Sequence, residues 1–206
     1  MVDMGSIESV TIETDDTARA EAFYSAAFEV GDRVRVRAST APSTGFRGFT
    51  MSLVVSEPAT VDELIDRAHT AGAAVLKPPA KSLWGYGGSV QAPDGTIWTV
   101  ASSSKKRTGA ATRRIDAVVL QLGAADVGAS RQFYLDHGLT ATKSYGTRYV
   151  EFDTGAIKLT LNRRDALAKT AGVAVDGTGS HRLVIGGDTA AFTDPDGFAW
   201  IGFAES

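Results

Sequence analysis

Pro93-Asp94-Gly95-Thr96-Ile97-Trp98 occurs once, and Pro195-Asp196-Gly197-Phe198-Ala199-Trp200 repeats its pattern near the end of the chain. Each is a strand–turn–strand signal: Pro at i+1 and Gly at i+3 make a type I turn, with apolar residues on both sides. Upstream of each lies a second shared element. Asp16 precedes Phe23-Tyr24, and Asp126 precedes Phe133-Tyr134, at the same spacing. An aspartate placed to cap a helix, an aromatic pair on its buried stripe and a closing turn therefore appear twice, in the same order. This predicts a tandem repeat of one α+β unit, with a site between the copies.

The rest of the pattern supports that reading. Val10 and Ile12 alternate with Ser9, Thr11 and Glu13 as in a half-buried strand. Ala20, Phe23, Tyr24, Ala27 and Phe28 form one helical stripe. Thr60-Val61-Asp62-Glu63 fits a capping box, and Gly72 fits a helix end. In the second half, Ala117–Leu122 reads as a strand, and Gly138 ends the helix that Asp126 opens. Val150 and Phe152 alternate with Tyr149, Glu151 and Asp153, and a short helix is expected over 164–170. The predicted units are residues 1–101 and 115–206, joined by a linker over 102–114. That linker carries five basic side chains and no apolar period, as a solvated connection does.

Composition narrows the function classes. The net charge of −3 is far from the basic stripe of a duplex-binding protein, so no nucleic-acid partner is expected. No apolar run approaches the ~20 residues of a membrane span, and the N-terminus has no signal-peptide pattern. No membrane partner and a cytoplasmic location are expected. The absence of cysteine removes disulfides, thiolate metal sites and cysteine nucleophiles.

The ordered set Asp16…Phe23-Tyr24, Asp126…Phe133-Tyr134, the Trp84-Gly85-Tyr86-Gly87-Gly88 loop and the two Pro-Asp-Gly-x-x-Trp hairpins resembles the vicinal oxygen chelate superfamily (glyoxalases, bleomycin-resistance proteins, extradiol dioxygenases). The resemblance implies an α+β fold of tandem βαβββ modules. Their strands would form an open, cup-shaped mixed sheet with helices outside and the site within. It also implies four metal-ligand positions in members that use a metal. Here those positions fall on Ser9, Val119 (or Ala117), Thr99 and Ile201. A hydroxyl, an aliphatic, another hydroxyl and another aliphatic are not a divalent-metal donor set. No metal and no cofactor are therefore expected.

Strand parity and the loop give the candidate ligand-binding residues: Thr11, Glu13, Trp84, Tyr86, Gln121 and Tyr149. Neutral polar groups, aromatics and one or two acids suit a small organic molecule, aromatic or cationic. The expected function is binding by a protein of bleomycin-resistance type without metal-dependent catalysis. The alternative is a divergent lyase, isomerase or dioxygenase of the same fold. It would draw on a metal held by other residues or on acid–base work by Glu13 and His181. His69, in the capped helix, and His137, at the end of a helix beside Gly138, are expected as surface or capping residues rather than ligands. The resemblance also implies a homodimer.

Overall fold

The computed structural model describes residues 5–83 and 85–202. In chain order it contains β1 (Ile7–Thr14), α1 (Thr17–Ala27), β2 (Val34–Ala38), β3 (Ser43–Gly45), β4 (Phe49–Val55), α2 (Pro58–Thr70), β5 (Ala74–Lys81), β6 (Tyr86–Gln91) and β7 (Ile97–Ser102). The second half contains β8 (Ala117–Ala124), α3 (Val127–Asp136), β9 (Thr140–Ser144), β10 (Tyr149–Asp153), β11 (Lys158–Arg163), α4 (Arg164–Ala171), β12 (Gly177–Gly179), β13 (Leu183–Gly187), β14 (Phe192–Thr193) and β15 (Ala199–Gly202).

The local signals act as their chemistry requires. Asp16 and Asp126 each accept the N–H three residues on, from Arg19 and Ala129, and so cap α1 and α3. Gly95 N–H donates to Ala92 O and Gly197 N–H to Asp194 O, closing the two Pro-Asp-Gly turns. The capping box at Thr60 does not form. Pro58 starts α2 three residues earlier than a Thr60 cap would, at a position where its missing N–H costs nothing. The Thr60 hydroxyl instead accepts the N–H of Thr112 from the connecting segment. That segment also lays Arg107 against Asp62 of α2 and Thr108 against Glu57, the residue before Pro58.

The two halves interleave. One sheet of eight strands runs β5-β6-β7-β4-β8-β11-β10-β9, and one of five runs β14-β15-β13-β1-β2. In the large sheet β8 pairs antiparallel with β4; in the small sheet β1 pairs antiparallel with β13. The opening strand of each half is thus hydrogen-bonded to a middle strand of the other. A third contact of the same kind joins β3 to β12. The resulting architecture is α+β, with open mixed sheets and helices packed on them.

Alternation decides which side chains meet the helices. Met51, Leu53, Val90, Trp98, Val100, Val118, Leu120, Leu122, Val150, Phe152, Leu159 and Leu161 join Val61, Leu64 and Ile65 of α2 and Tyr134 of α3 in one continuous core. Within it, two tyrosines carry their hydroxyls to buried aspartates: Tyr24 to Asp94 at 2.5 Å and Tyr134 to Asp194 at 2.6 Å. The aspartates occupy different positions of the two turns. Asp94 is the turn residue itself, whereas Asp194 precedes Pro195. The turn residue Asp196 is then released to bind Ala125 N–H and Ser130 Oγ at the start of α3.

Candidate functional site

The residues that alternate with the core form the other face of the eight-stranded sheet, opposite α2 and α3. Cross-strand register lines them up. Thr50 lies opposite Gln121, Gln121 opposite Thr160, and Thr160 opposite Glu151. Asn162 lies opposite Tyr149 on one side and Gly123 on the other. Ser52 stands between Thr99 and Val119.

Half of this face is covered. α4 follows β11 directly and folds back onto β7 and β8. Leu167, Ala168 and Ala171 pack with Ile97 and Phe46 in a small second core. The Ser89 hydroxyl donates to Ala171 O in a buried bond, and the Lys77 ammonium donates to Lys169 O and Thr170 O. A cation on the carboxyl end of a helix complements its dipole. At the other end, Arg164 donates to Phe46 O and lies 5.2 Å from the Phe46 ring centroid.

The uncovered half carries the half-buried Gln121, Tyr149, Glu151 and Asn162 around a buried Thr160, with Lys158 exposed at its margin. Thr50 donates to the Gln121 amide oxygen at 2.9 Å, leaving the amide nitrogen as the outward donor. Tyr149 donates to Glu151 Oε2 at 3.1 Å, which leaves the second carboxylate oxygen to accept from a ligand. Burial, and after it the charge of Glu151, raises the Tyr149 hydroxyl far above its ordinary range. This phenol is a permanent donor rather than a base. Asn162 donates to Thr160 Oγ1 at 3.0 Å and keeps its carbonyl as an acceptor. Tyr145 extends the face beyond Tyr149, their ring centroids 6.0 Å apart, and Lys143 lies 5.4 Å from the Tyr145 ring centroid. An aromatic plane here already holds a cation of the chain's own.

The structure distributes the sequence candidates unevenly. Gln121 and Tyr149 share the face just described. Thr11 and Glu13 lie in β1 of the other sheet, where Glu13 accepts from Arg37 at 2.5 Å. Tyr86 turns to the helix side. Its hydroxyl donates to Asp62 of α2, and Arg107 lies over its ring. Trp84 lies outside the described residues. The four ligand positions implied by the resemblance also divide. Thr99 and Val119 flank Ser52 in the large sheet, whereas Ser9 and Ile201 flank Gly186 in the small one. Neither row holds an imidazole or a carboxylate. Among the described residues, no three His, Asp or Glu side chains gather as metal donors. A catalytic divalent metal does not fit this donor set.

His181 serves the fold. Nδ1 faces Arg47 O at 2.5 Å, Nε2 faces Asp196 O at 3.0 Å, and the ring stacks on Phe198 at 4.0 Å. With both nitrogens on backbone carbonyls it is not free as a general base. His69 and His137 meet Ala73 O and Phe133 O near the ends of α2 and α3. Sequence reasoning passed over Thr160 and Asn162. Their signal was present in the alternation of Leu159 and Leu161 with polar neighbours.

No model of a known protein family matches the sequence, and no curated protein does. Solved structures do. Glyoxalase I from Zea mays superposes with a TM-score of 0.62 at 15% identity, over 96% of this chain and 91% of that one. A Bacillus subtilis protein with a proposed dioxygenase assignment superposes with a TM-score of 0.61 at 9% identity, over 96% of this chain and 84% of that one. At these identities the likeness establishes the fold.

Proposed function

We propose that this chain, which carries the fold of the glyoxalase, bleomycin-resistance and dioxygenase proteins, binds a small organic molecule without metal-dependent catalysis. The reading treats its halves as a tandem repeat whose large sheet has become the binding surface. One observation carries it: the uncovered half of the large sheet presents Gln121, Tyr149, Glu151 and Asn162 together around a buried Thr160, while the metal-ligand positions hold hydroxyl and aliphatic side chains. The free oxygen of Glu151 suits a cationic or hydrogen-donating group. The Tyr149 and Tyr145 rings suit a flat apolar body beside it. The hydroxyl that faces a carboxylate here, Tyr149 on Glu151, is held well above its ordinary pKa by burial and by that carboxylate, which suits it to donating a hydrogen bond rather than to covalent catalysis.

The test is a thermal-shift screen against aromatic metabolites, organic amines and antibiotics, followed by titration calorimetry. A stabilising ligand is expected, and Glu151→Gln and Gln121→Ala should each weaken it by about tenfold, the worth of one hydrogen bond to a charged or buried partner. A panel without a hit, or a hit indifferent to both substitutions, would overturn the proposal. Stoichiometric metal in the purified protein would overturn its metal-free part.

A further inference from the structure

The small sheet stops where the large sheet continues. β2 pairs parallel with β1 as β11 pairs parallel with β8. Beyond β11 lie β10 and β9; among the described residues nothing pairs with the outer edge of β2. The helices do not shorten to match. α3 lies over β11 and β10, and its Tyr134 packs on Phe152 of β10 at 5.6 Å. The corresponding Tyr24 of α1 instead lines an open hollow of about 630 Å³, with Ser25, Val30, Val34, Arg35 and Val36 among its other walls. The hollow is the space that a strand beside β2 would fill.

We propose that the β2 edge binds an extended protein segment in which apolar residues alternate with acidic ones. The register specifies the pattern. Val10 and Ile12 face Val34 and Val36, as Leu120 and Leu122 face Leu159 and Leu161. In β10, Phe152 and Val150 lie opposite Leu159 and Leu161, and Glu151 lies opposite Thr160. A strand in the same place beside β2 sets apolar side chains against Val34 and Val36, beneath α1. It sets an acidic one against Arg35, which is exposed. Ser39 N–H donates to Thr14 O, so by alternation the Val36 and Ala38 backbone groups point outward, free to extend the ladder. Of the carboxylates at the hollow, Glu29 is met by Arg67 and Arg113. Glu21, exposed on the helix side, repels an acidic residue there, so the acids of the segment belong on the Arg35 face. A second copy of β2 is disfavoured as occupant, because the antiparallel registers of Val-Arg-Val-Arg with itself that keep valines opposite valines also set arginines opposite arginines.

The probe is a labelled peptide of residues 147–154 of this chain, Thr-Arg-Tyr-Val-Glu-Phe-Asp-Thr, titrated with the full-length protein by fluorescence anisotropy. Saturable binding is expected. It should weaken about fivefold or more in Arg35→Glu, and similarly when Ser replaces Val150 and Phe152 of the peptide. Circular dichroism checks that the Arg35→Glu protein stays folded. Absence of binding at millimolar protein, or equal binding by Arg35→Glu, would overturn the proposal; the latter would mean strand exchange at β10. Sedimentation showing self-association that the peptide reverses would also overturn it, in favour of a second copy. None of these outcomes depends on the small-molecule screen.

Discussion

Replacing Tyr134 by Phe should destabilise the fold more than replacing Tyr24 by Phe, although the two side chains are matched in place and burial. Each substitution removes a hydroxyl from a buried aspartate and strands the Oδ2 atom it served. The Oδ1 atoms keep their backbone donors, Thr96 N–H for Asp94, and Asp196 and Phe198 N–H for Asp194. A hydrogen bond to a charged group is worth about 1.5–3 kcal/mol, so both variants lose about that much. Tyr134 has a second duty. Its oxygen accepts from Trp200 Nε1 at 3.3 Å, whereas Trp98 Nε1 has no partner in hydrogen-bond geometry, though it is close enough to Tyr24 for its dipole to act there. Tyr134→Phe therefore leaves an additional buried donor unpaired, a further cost of about 1 kcal/mol for a bond of this length. The pH dependence has a definite sign. Burial holds the Asp194 carboxyl above its ordinary value, and the Tyr134 bond pulls it down. A carboxyl raised in the folded state adds stability below its unfolded value near ~4 and loses it as pH rises through the folded value. Without the Tyr134 bond the folded value climbs further, so the deficit of Tyr134→Phe is larger at pH 7 than at pH 4. Urea unfolding of both variants at the two pH values measures this. Equal losses, a larger loss for Tyr24→Phe, or a Tyr134→Phe deficit that grows on acidification would refute the reasoning.

Two other substitutions probe the elements that shape the site. Gly48→Ala should cost about 2 kcal/mol in urea unfolding, because Gly48 has φ +86° and a Cβ there would strike the Arg164 guanidinium. An unchanged midpoint would show that neither the backbone nor Arg164 is constrained. Lys77→Ala removes the ammonium from the end of α4. Amide exchange over residues 164–171 should quicken by about threefold, while the global unfolding free energy moves by under ~1 kcal/mol. Unchanged protection would mean that Ser89 and the Leu167 contacts hold α4 by themselves.

The parts of this molecule that could be read from sequence are those whose cause is local. Asp16 and Asp126 announce caps because the acceptor meets an amide three residues on. The Pro-Asp-Gly turns announce themselves because their backbone geometry needs those residues. Parity placed Tyr149 and Glu151 opposite Val150 and Phe152, and the short helix at 164–170 was visible. What was not legible depends on partners distant in the chain. Arg37 finds Glu13 only because β2 lies parallel to β1. Tyr86 faces α2 because the strand containing it begins one residue after Gly85, a phase that a glycine-rich stretch does not reveal. Thr60 carries the right chemistry for a cap, but Pro58 had already started the helix.

The site and the open edge follow from one asymmetry. The first half has a long helix, α2, between its middle strand β4 and β6; the second has no helix between β13 and β14. The second half has the hairpin β9–β10 and the helix α4; the first passes from α1 to β2 and on to β3 without either. Because each opening strand crosses to the other half, all three additions fall on the large sheet. β8 brings α3, β9, β10, β11 and α4 beside β4, which brings α2, β5, β6 and β7. β1 brings only α1 and β2 beside β13. The large sheet thus becomes wide enough for α4 to cover one half and leave the other open. The small sheet retains a helix sized for a strand it lacks. Inserting a β9–β10-like hairpin after α1 should accordingly fill the hollow beside Tyr24 and abolish peptide binding at β2. It should leave the ligand affinity of the large sheet within about twofold, because β2 lies in the other sheet.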